Sequence, residues 1–310
     1  MAKLLIKCGV FLLLLVLVDK AFLPVRQSAP ARQEDQRLHR LFSGELNKEL
    51  IVIGSSRGAA DIEAWALEAG LNLEAFNLSY GGTDVDMHTY LLEQLVAHND
   101  APRMIIKIID DSFELTAADK NRFRFDVLYP LVRHAPVREE LVRRGEKNYW
   151  LTQLFITHQL SKSAYDPRPV SPASDTIRRY GLMPKSGHIK DKEQYLSRRE
   201  GPYEEERELA YKLAAFRAFQ QLAHEHGIRV VYAIPPSFKP PTPGFRERIT
   251  ELLRSDELLF YNPAEVTQYQ DRSLFSDPYH LNAYGAKCYT RDLLRFLQRA
   301  DLSLPTTSIH

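Results

Sequence analysis

Apolar residues along this chain gather into short strand-like runs, two of them strongly β-branched, separated by longer stretches of helical spacing. Residues 49–53, Glu-Leu-Ile-Val-Ile, form a strand candidate that ends at Gly54. Segments 73–78, 103–109, 228–234 and 257–261 read the same way. Apolar positions three and four apart predict helices over 59–69, 84–98, 204–226, 245–254 and 283–299, with Gly227 breaking the longest. Strands that alternate with helices imply a parallel sheet covered on both faces, joined by right-handed crossovers. The expected fold is therefore α/β, a three-layer sandwich with a central parallel sheet.

The pattern weakens between Asp111 and Glu204. That stretch is too long for an ordinary connection and contains Asp166-Pro-Arg-Pro-Val-Ser-Pro172 and Lys185-Ser-Gly187. It predicts an insertion at about 113–203, helical over roughly 125–162 and irregular beyond. Insertions over a sheet often build lids or substrate surfaces.

The N-terminus breaks the alternation differently. Lys3 and Lys7 precede an unbroken apolar run, Val10 to Val18, and apolarity resumes at Ala21 after Asp19-Lys20. The run matches a signal-peptide core, and the longer stretch from Leu4 to Val25 reaches spanning length if the charges sit near an interface. No small-x-small cleavage site follows closely. Residues 1–26 thus read as a signal-anchor in preference to a signal peptide, and 27–47 as a tether or short helix. Lys20, Arg26 and Arg32 follow the run, so the positive-inside rule leaves the orientation open.

Composition adds limits. The chain has 310 residues, 44% hydrophobic and 26% charged, which suits one globular α/β domain beyond the N-terminal segment. A formal net charge of +1 offers no electrostatic footprint for nucleic acid. Of two cysteines, Cys8 lies in the apolar run and Cys288 on a predicted helix, where a buried structural role is expected. Too few thiols remain for a cysteine-rich metal site.

Three segments carry candidate chemistry. In Ile51-Val-Ile-Gly-Ser-Ser-Arg-Gly58 a strand runs through glycine and two serines into a helix. A serine there meets helix N–H groups that favour developing negative charge, although an ordinary N-cap has the same sequence. Phe76-Asn-Leu-Ser-Tyr-Gly-Gly-Thr83 puts paired glycines after a strand, suited to a turn or to close ligand approach. In Phe275-Ser-Asp-Pro-Tyr-His-Leu-Asn-Ala-Tyr-Gly285, Asp277 precedes His280 by three positions and Pro278 opposes helix formation, so the side chains can meet within one turn. A nucleotide-binding Rossmann-like domain is a further reading, against which stand the missing Gly-x-Gly-x-x-Gly and Gly-Lys-Ser/Thr patterns. His88, His188, His224 and His226 fall on helices or in the insertion and are expected at the surface. No metal site is expected.

In order and spacing these segments resemble the SGNH (GDSL-like) hydrolases. Gly54-Ser55-Ser56 is similar to the family's first block, Asn77-Leu-Ser-Tyr-Gly-Gly82 to the second and Asp277-Pro-Tyr-His280 to the last. The resemblance covers about 48–302, leaves 303–310 as a tail, and implies a flavodoxin-like SGNH sheet. It makes Ser56 the nucleophile, with Ser55 its neighbouring competitor. His280 and Asp277 complete the triad, and Ser56 and Gly82 supply oxyanion N–H groups. Arg57 would bind a substrate anion or pair with a carboxylate. Ser55 stands where the family has aspartate, and the third block reads Ile108-Ile-Asp-Asp111 instead of Gly-x-Asn-Asp. Asp111 in the asparagine position would repel an oxyanion unless protonated.

Such variants resemble the membrane-tethered branch that includes teichoic acid D-alanyl-transfer and polysaccharide O-acetylation proteins. The resemblance implies a cofactor-free serine esterase or O-acyltransferase, membrane-anchored and facing away from the cytoplasm. Its substrate would be an acylated cell-envelope glycan or small ester, with a membrane acyltransferase as a possible partner. The alternative is a catalytically weak SGNH-fold scaffold in an envelope polysaccharide assembly complex.

Overall fold

The structure, a computed structural model, describes residues 1–117, 121–165, 180–189, 201–261 and 267–300. The expected irregular segment around 166–172, the adjoining 190–200 and the 303–310 tail lie outside the described residues. The chain divides into two units, one from residues 1–42 and 124–170 and the other from 43–123 and 171–310.

The second unit holds a five-stranded sheet: β1 Leu50–Ile53, β2 Ala75–Asn77, β3 Met104–Ile108, β4 Arg229–Ile234 and β5 Leu258–Tyr261. All pairings are parallel, in the order β2-β1-β3-β4-β5. Every residue of β1 and β3 is buried, the signature of a sheet covered on both faces. Val52, Ile106 and Val231 share one face with Tyr289, Leu293 and Leu297 of the Ala283–Arg299 helix. On the opposite face the helices Val85–His98 and Ala210–Glu225 pack together, and Phe216 stacks on Tyr232 of β4. The result is a three-layer α/β sandwich. Its order is the flavodoxin-like doubly wound one, whose ligands bind outside the carboxyl ends of the strands where the winding reverses, between β1 and β3.

Two helices differ from their sequence expectation. The helix expected over 59–69 is two, Ser56–Asp61 and Ala64–Leu71, because Ile62 turns extended and the Glu63 N–H donates to Thr290 Oγ1. The one expected over 204–226 begins only at Ala210. Glu208 is instead drawn into a bridge with Thr116, and the Leu209 N–H donates to Leu115 O. In both places a tertiary hydrogen bond takes the backbone group that another helical turn would have used.

The first unit contains the apolar helix Ala2–Lys20, long and apolar enough to cross a membrane together with its continuation to Ser28. It also contains the short helices Leu23–Ser28 and Arg37–Phe42, the second inside the segment read as a tether. Residues 125–162, expected to be helical, form several short helices; the longest is Ala135–Arg143, ended by Gly145 at φ +79°.

Candidate functional site

The loops after β1, β2, β3 and β4 and the turn before the last helix converge on one cleft of about 600 Å³, lined by Ser56, Gly82, Asp110, Asn121, Asp277 and His280 among others. Local sequence explains each wall. A Cβ at Gly54 would lie 2.6 Å from Ile108 Cβ, and one at Gly58 would lie 2.4 Å from Ser79 Oγ. Only glycines therefore let the Ser56 turn nestle between β3 and the β2 loop. Ser55 is the N-cap, accepting from the Arg57 N–H, which leaves Ser56 as the first helical residue with its hydroxyl turned to the cleft.

The opposite wall is the 275–285 turn. Phe275 bridges Leu281, and the Ser276 N–H donates to His280 O. Asn282 caps the last helix, its Oδ1 accepting from the N–H groups of Tyr284 and Gly285 while its Nδ2 donates to Ser273 O. A Cβ at Gly285 would come within 2.1 Å of Leu274 O, which explains the glycine in Leu-Asn-x-x-Gly. Within this clip the Asp277 carboxylate accepts from the backbone N–H of Tyr279 and His280, and His280 Nδ1 lies 2.8 Å from Asp277 Oδ2. On the far side of the ring, Nε2 is 2.7 Å from Ser56 Oγ. Burial pushes the Asp277 carboxyl up, but the imidazole and the two N–H groups outweigh it, so its pKa lies below the ordinary value. An Nδ1–H donated to this carboxylate leaves the Nε2 lone pair facing the serine hydroxyl.

The structure brings together Ser56, Asp277, His280 and Gly82, the last at φ +71°. It separates the two serines: Ser55 is fully buried and its Oγ donates to Asp110 Oδ1 at 2.6 Å. Arg57 lines the cleft, but its Nη atoms donate to the backbone carbonyls of Asp110 and Pro235, so the guanidinium braces the loops after β3 and β4. Asp111 also lines the cleft, with Oδ1 accepting from the Ser112 N–H as the cap of a short 3-10 turn.

Sequence reasoning missed Asn121. It lines the same cleft, its Nδ2 donates to Asp110 Oδ2 at 2.7 Å, and the next residue's N–H donates to Gly82 O at 3.1 Å. No local motif announces it, because its place comes from pairings with loops 11 and 40 residues away in the chain.

His88, expected at the surface, is instead fully buried; its Nε2 sits 2.9 Å from Thr83 Oγ1, beside Gly82. Its helix packs against the Ala210–Glu225 helix, and the ring is enclosed beside Thr83, Glu114 and Lys107 of β3. His188, His224 and His226 are exposed. Cys288, expected buried, is only half-buried, because it lies at the margin of its helix's core face.

Neither a protein-family model nor a curated protein sequence matches the chain.

Proposed function

We propose that this protein is a serine-dependent esterase or O-acyltransferase of SGNH-like design, working through a Ser56 acyl-enzyme. The observation that carries this reading is the continuous relay from Asp277 through His280 to Ser56, with contacts of 2.8 and 2.7 Å. In that relay His280 Nε2 takes the Ser56 proton as Oγ bonds to the ester carbonyl carbon. The carbonyl electron pair moves onto oxygen and returns as the alkoxide leaves with the proton from His280. Water or a glycan hydroxyl then gives its proton to His280 and attacks the acyl carbon; the bond from that carbon to Ser56 Oγ breaks, and His280 returns the proton to Oγ. Asp277 holds the tautomer and balances the imidazolium.

The oxyanion faces the N–H groups of Ser56 and Gly82. Asn121 brings an amide to a cleft wall where the loop after β3 contributes the carboxylates Asp110 and Asp111, and its Nδ2 donates to Asp110. The substrate class, an acylated envelope glycan or small ester, and a membrane acyltransferase partner follow from the family resemblance. The apolar N-terminal helix supports a membrane-anchored protein.

A second reading is a scaffold that binds an envelope glycan without turnover. One observation favours it, the paired Asp110-Asp111 in place of an oxyanion donor. A fluorophosphonate probe on the purified full chain separates the two. Under the enzyme reading the wild type labels, Ser56→Ala does not, and Ser55→Ala still does. Asp277→Asn slows labelling on the order of 10³–10⁴-fold, as loss of the orienting carboxylate does in such triads. Folded wild type that stays unlabelled, or a Ser56→Ala variant labelled as fast as wild type, would sink the enzyme reading.

A further inference from the structure

Within the first unit, the end of the apolar helix is built into the protein. Asp19 is buried, and its carboxylate accepts from the N–H groups of Ile156 and Thr157, both at 2.9 Å, and from Thr157 Oγ1 at 2.7 Å. Beside it Lys20 Nζ donates to Leu154 O at 3.1 Å. The next turns are strapped to the same region, Arg26 to Gln159 Oε1 and Arg32 to Ala164 O. A segment destined for removal has no need of partners for its charged end, whereas a buried carboxylate in a retained segment must have them.

The helix Tyr149–Leu154 adjoins this junction and is apolar on the wrong side. Thr152 is buried, while Tyr149, Trp150, Leu151 and Leu154 all point outward, Trp150 being 70% exposed. Outward Trp, Tyr and Leu on one short helix is the composition of a membrane-interface element, with an amphipathic ring at headgroup depth and aliphatic groups below it. Position supplies a second argument. Leu154 O accepts from Lys20 Nζ at the charged end of the long apolar helix, so the outward face sits beside the point where apolarity gives way to charge.

We propose that the Tyr149–Leu154 face docks on the phospholipid bilayer that the N-terminal helix spans, with Trp150 at the headgroup–acyl boundary. This inference rests on the spanning reading of Ala2–Lys20 and is independent of the proposed acyl chemistry.

The test uses full-length protein carrying Trp65→Phe, which leaves Trp150 as the one tryptophan. It is reconstituted into dioleoylphosphatidylcholine vesicles bearing nitroxides at a shallow or a deep acyl carbon. The expected result is blue-shifted Trp150 emission, quenched more by the shallow nitroxide than by the deep one and shielded from aqueous iodide. Emission of a water-exposed indole, quenched by iodide and by neither nitroxide, overturns the proposal. Shielding from both iodide and nitroxides also overturns it, because it marks a protein contact between copies. Protein that fails to float with the vesicles overturns the spanning reading itself and this inference with it.

Discussion

Two buried carboxyls flank the candidate site and behave in opposite ways. Glu114 lies behind the Gly82 and Asp110 loops, and Asp61 lies behind the Asp277–His280 turn. Both are almost fully withdrawn from solvent. Burial pushes the Glu114 pKa up, but the Lys107 ammonium 2.5 Å away, together with His88, overcomes it and brings the carboxyl to about 2. Burial likewise pushes Asp61 up, and here it wins. The Arg57 charge and the Leu281 N–H oppose it only partly, while the negative charges of Asp277 and Asp110 add to it. Arg57 meets no carboxylate directly because its Nη atoms serve two carbonyl oxygens. Among the described residues, Arg57 Nε, Asp61 Oδ2 and the Tyr289 hydroxyl are all buried without a hydrogen-bond partner. A buried carboxyl thus has a lowered pKa where a cation touches it, and a raised one where the nearest cation is already occupied. One wall of the cleft rests on an ion pair and the other on a carboxyl whose pKa burial raises.

The largest expected effect comes from breaking that ion pair. Lys107→Met strands Glu114 as an unpaired buried charge and should lower unfolding stability by about 3–5 kcal/mol in urea titrations. Adding Glu114→Leu should recover most of the loss. A single variant as stable as wild type would remove the contrast altogether.

Next comes Asp61→Ala, which leaves the buried Leu281 N–H without its acceptor and should cost about 1–3 kcal/mol. Because that N–H follows His280, the same variant should also slow fluorophosphonate labelling, whereas Asp61→Asn, which keeps an acceptor there, should restore it. Equal labelling rates in the two variants would separate Asp61 from the placement of His280.

The smallest effect lies in pH dependence, where the two carboxyls differ in sign. The Glu114 contribution is full above its unfolded value near 4.5 and is lost as pH falls toward about 2. Asp61 acts the other way. Because burial raises the folded pKa of Asp61, its contribution to stability falls as pH rises above the unfolded value of 3.8. Asp61→Asn should therefore flatten the decline of Tm between acid and neutral pH, measured by thermal melts. A variant profile parallel to wild type would show that burial does not raise the Asp61 pKa.

Much of this architecture was legible in one dimension. The strand candidates at 49–53, 73–78, 103–109, 228–234 and 257–261 each match an observed strand to within two residues at either end, because a short apolar run bounded by glycines and polar turn residues has few other uses. The last helix, Ala283–Arg299, has the bounds its spacing predicts, since Asn282 caps it locally. Ser56, Gly82, Asp277 and His280 were legible because short motifs hold them at strand ends or in a clipped turn. Asn121 and His88 were not, since no neighbour in sequence explains the place of either.

By itself, then, the sequence determined the alternation of strands and helices, the apolar N-terminal helix, and the two motifs whose side chains meet in the cleft. Those are consequences of local periodicity, glycine geometry and capping, which act over a few residues. Tertiary structure alone decided where Arg57 spends its donors, why burial raises the Asp61 pKa while Lys107 lowers that of Glu114, and how Asn121 reaches the site. Each of these depends on a partner far away in the chain, and both hydrogen bonding and the dielectric cost of a charge are set by the groups that folding brings alongside.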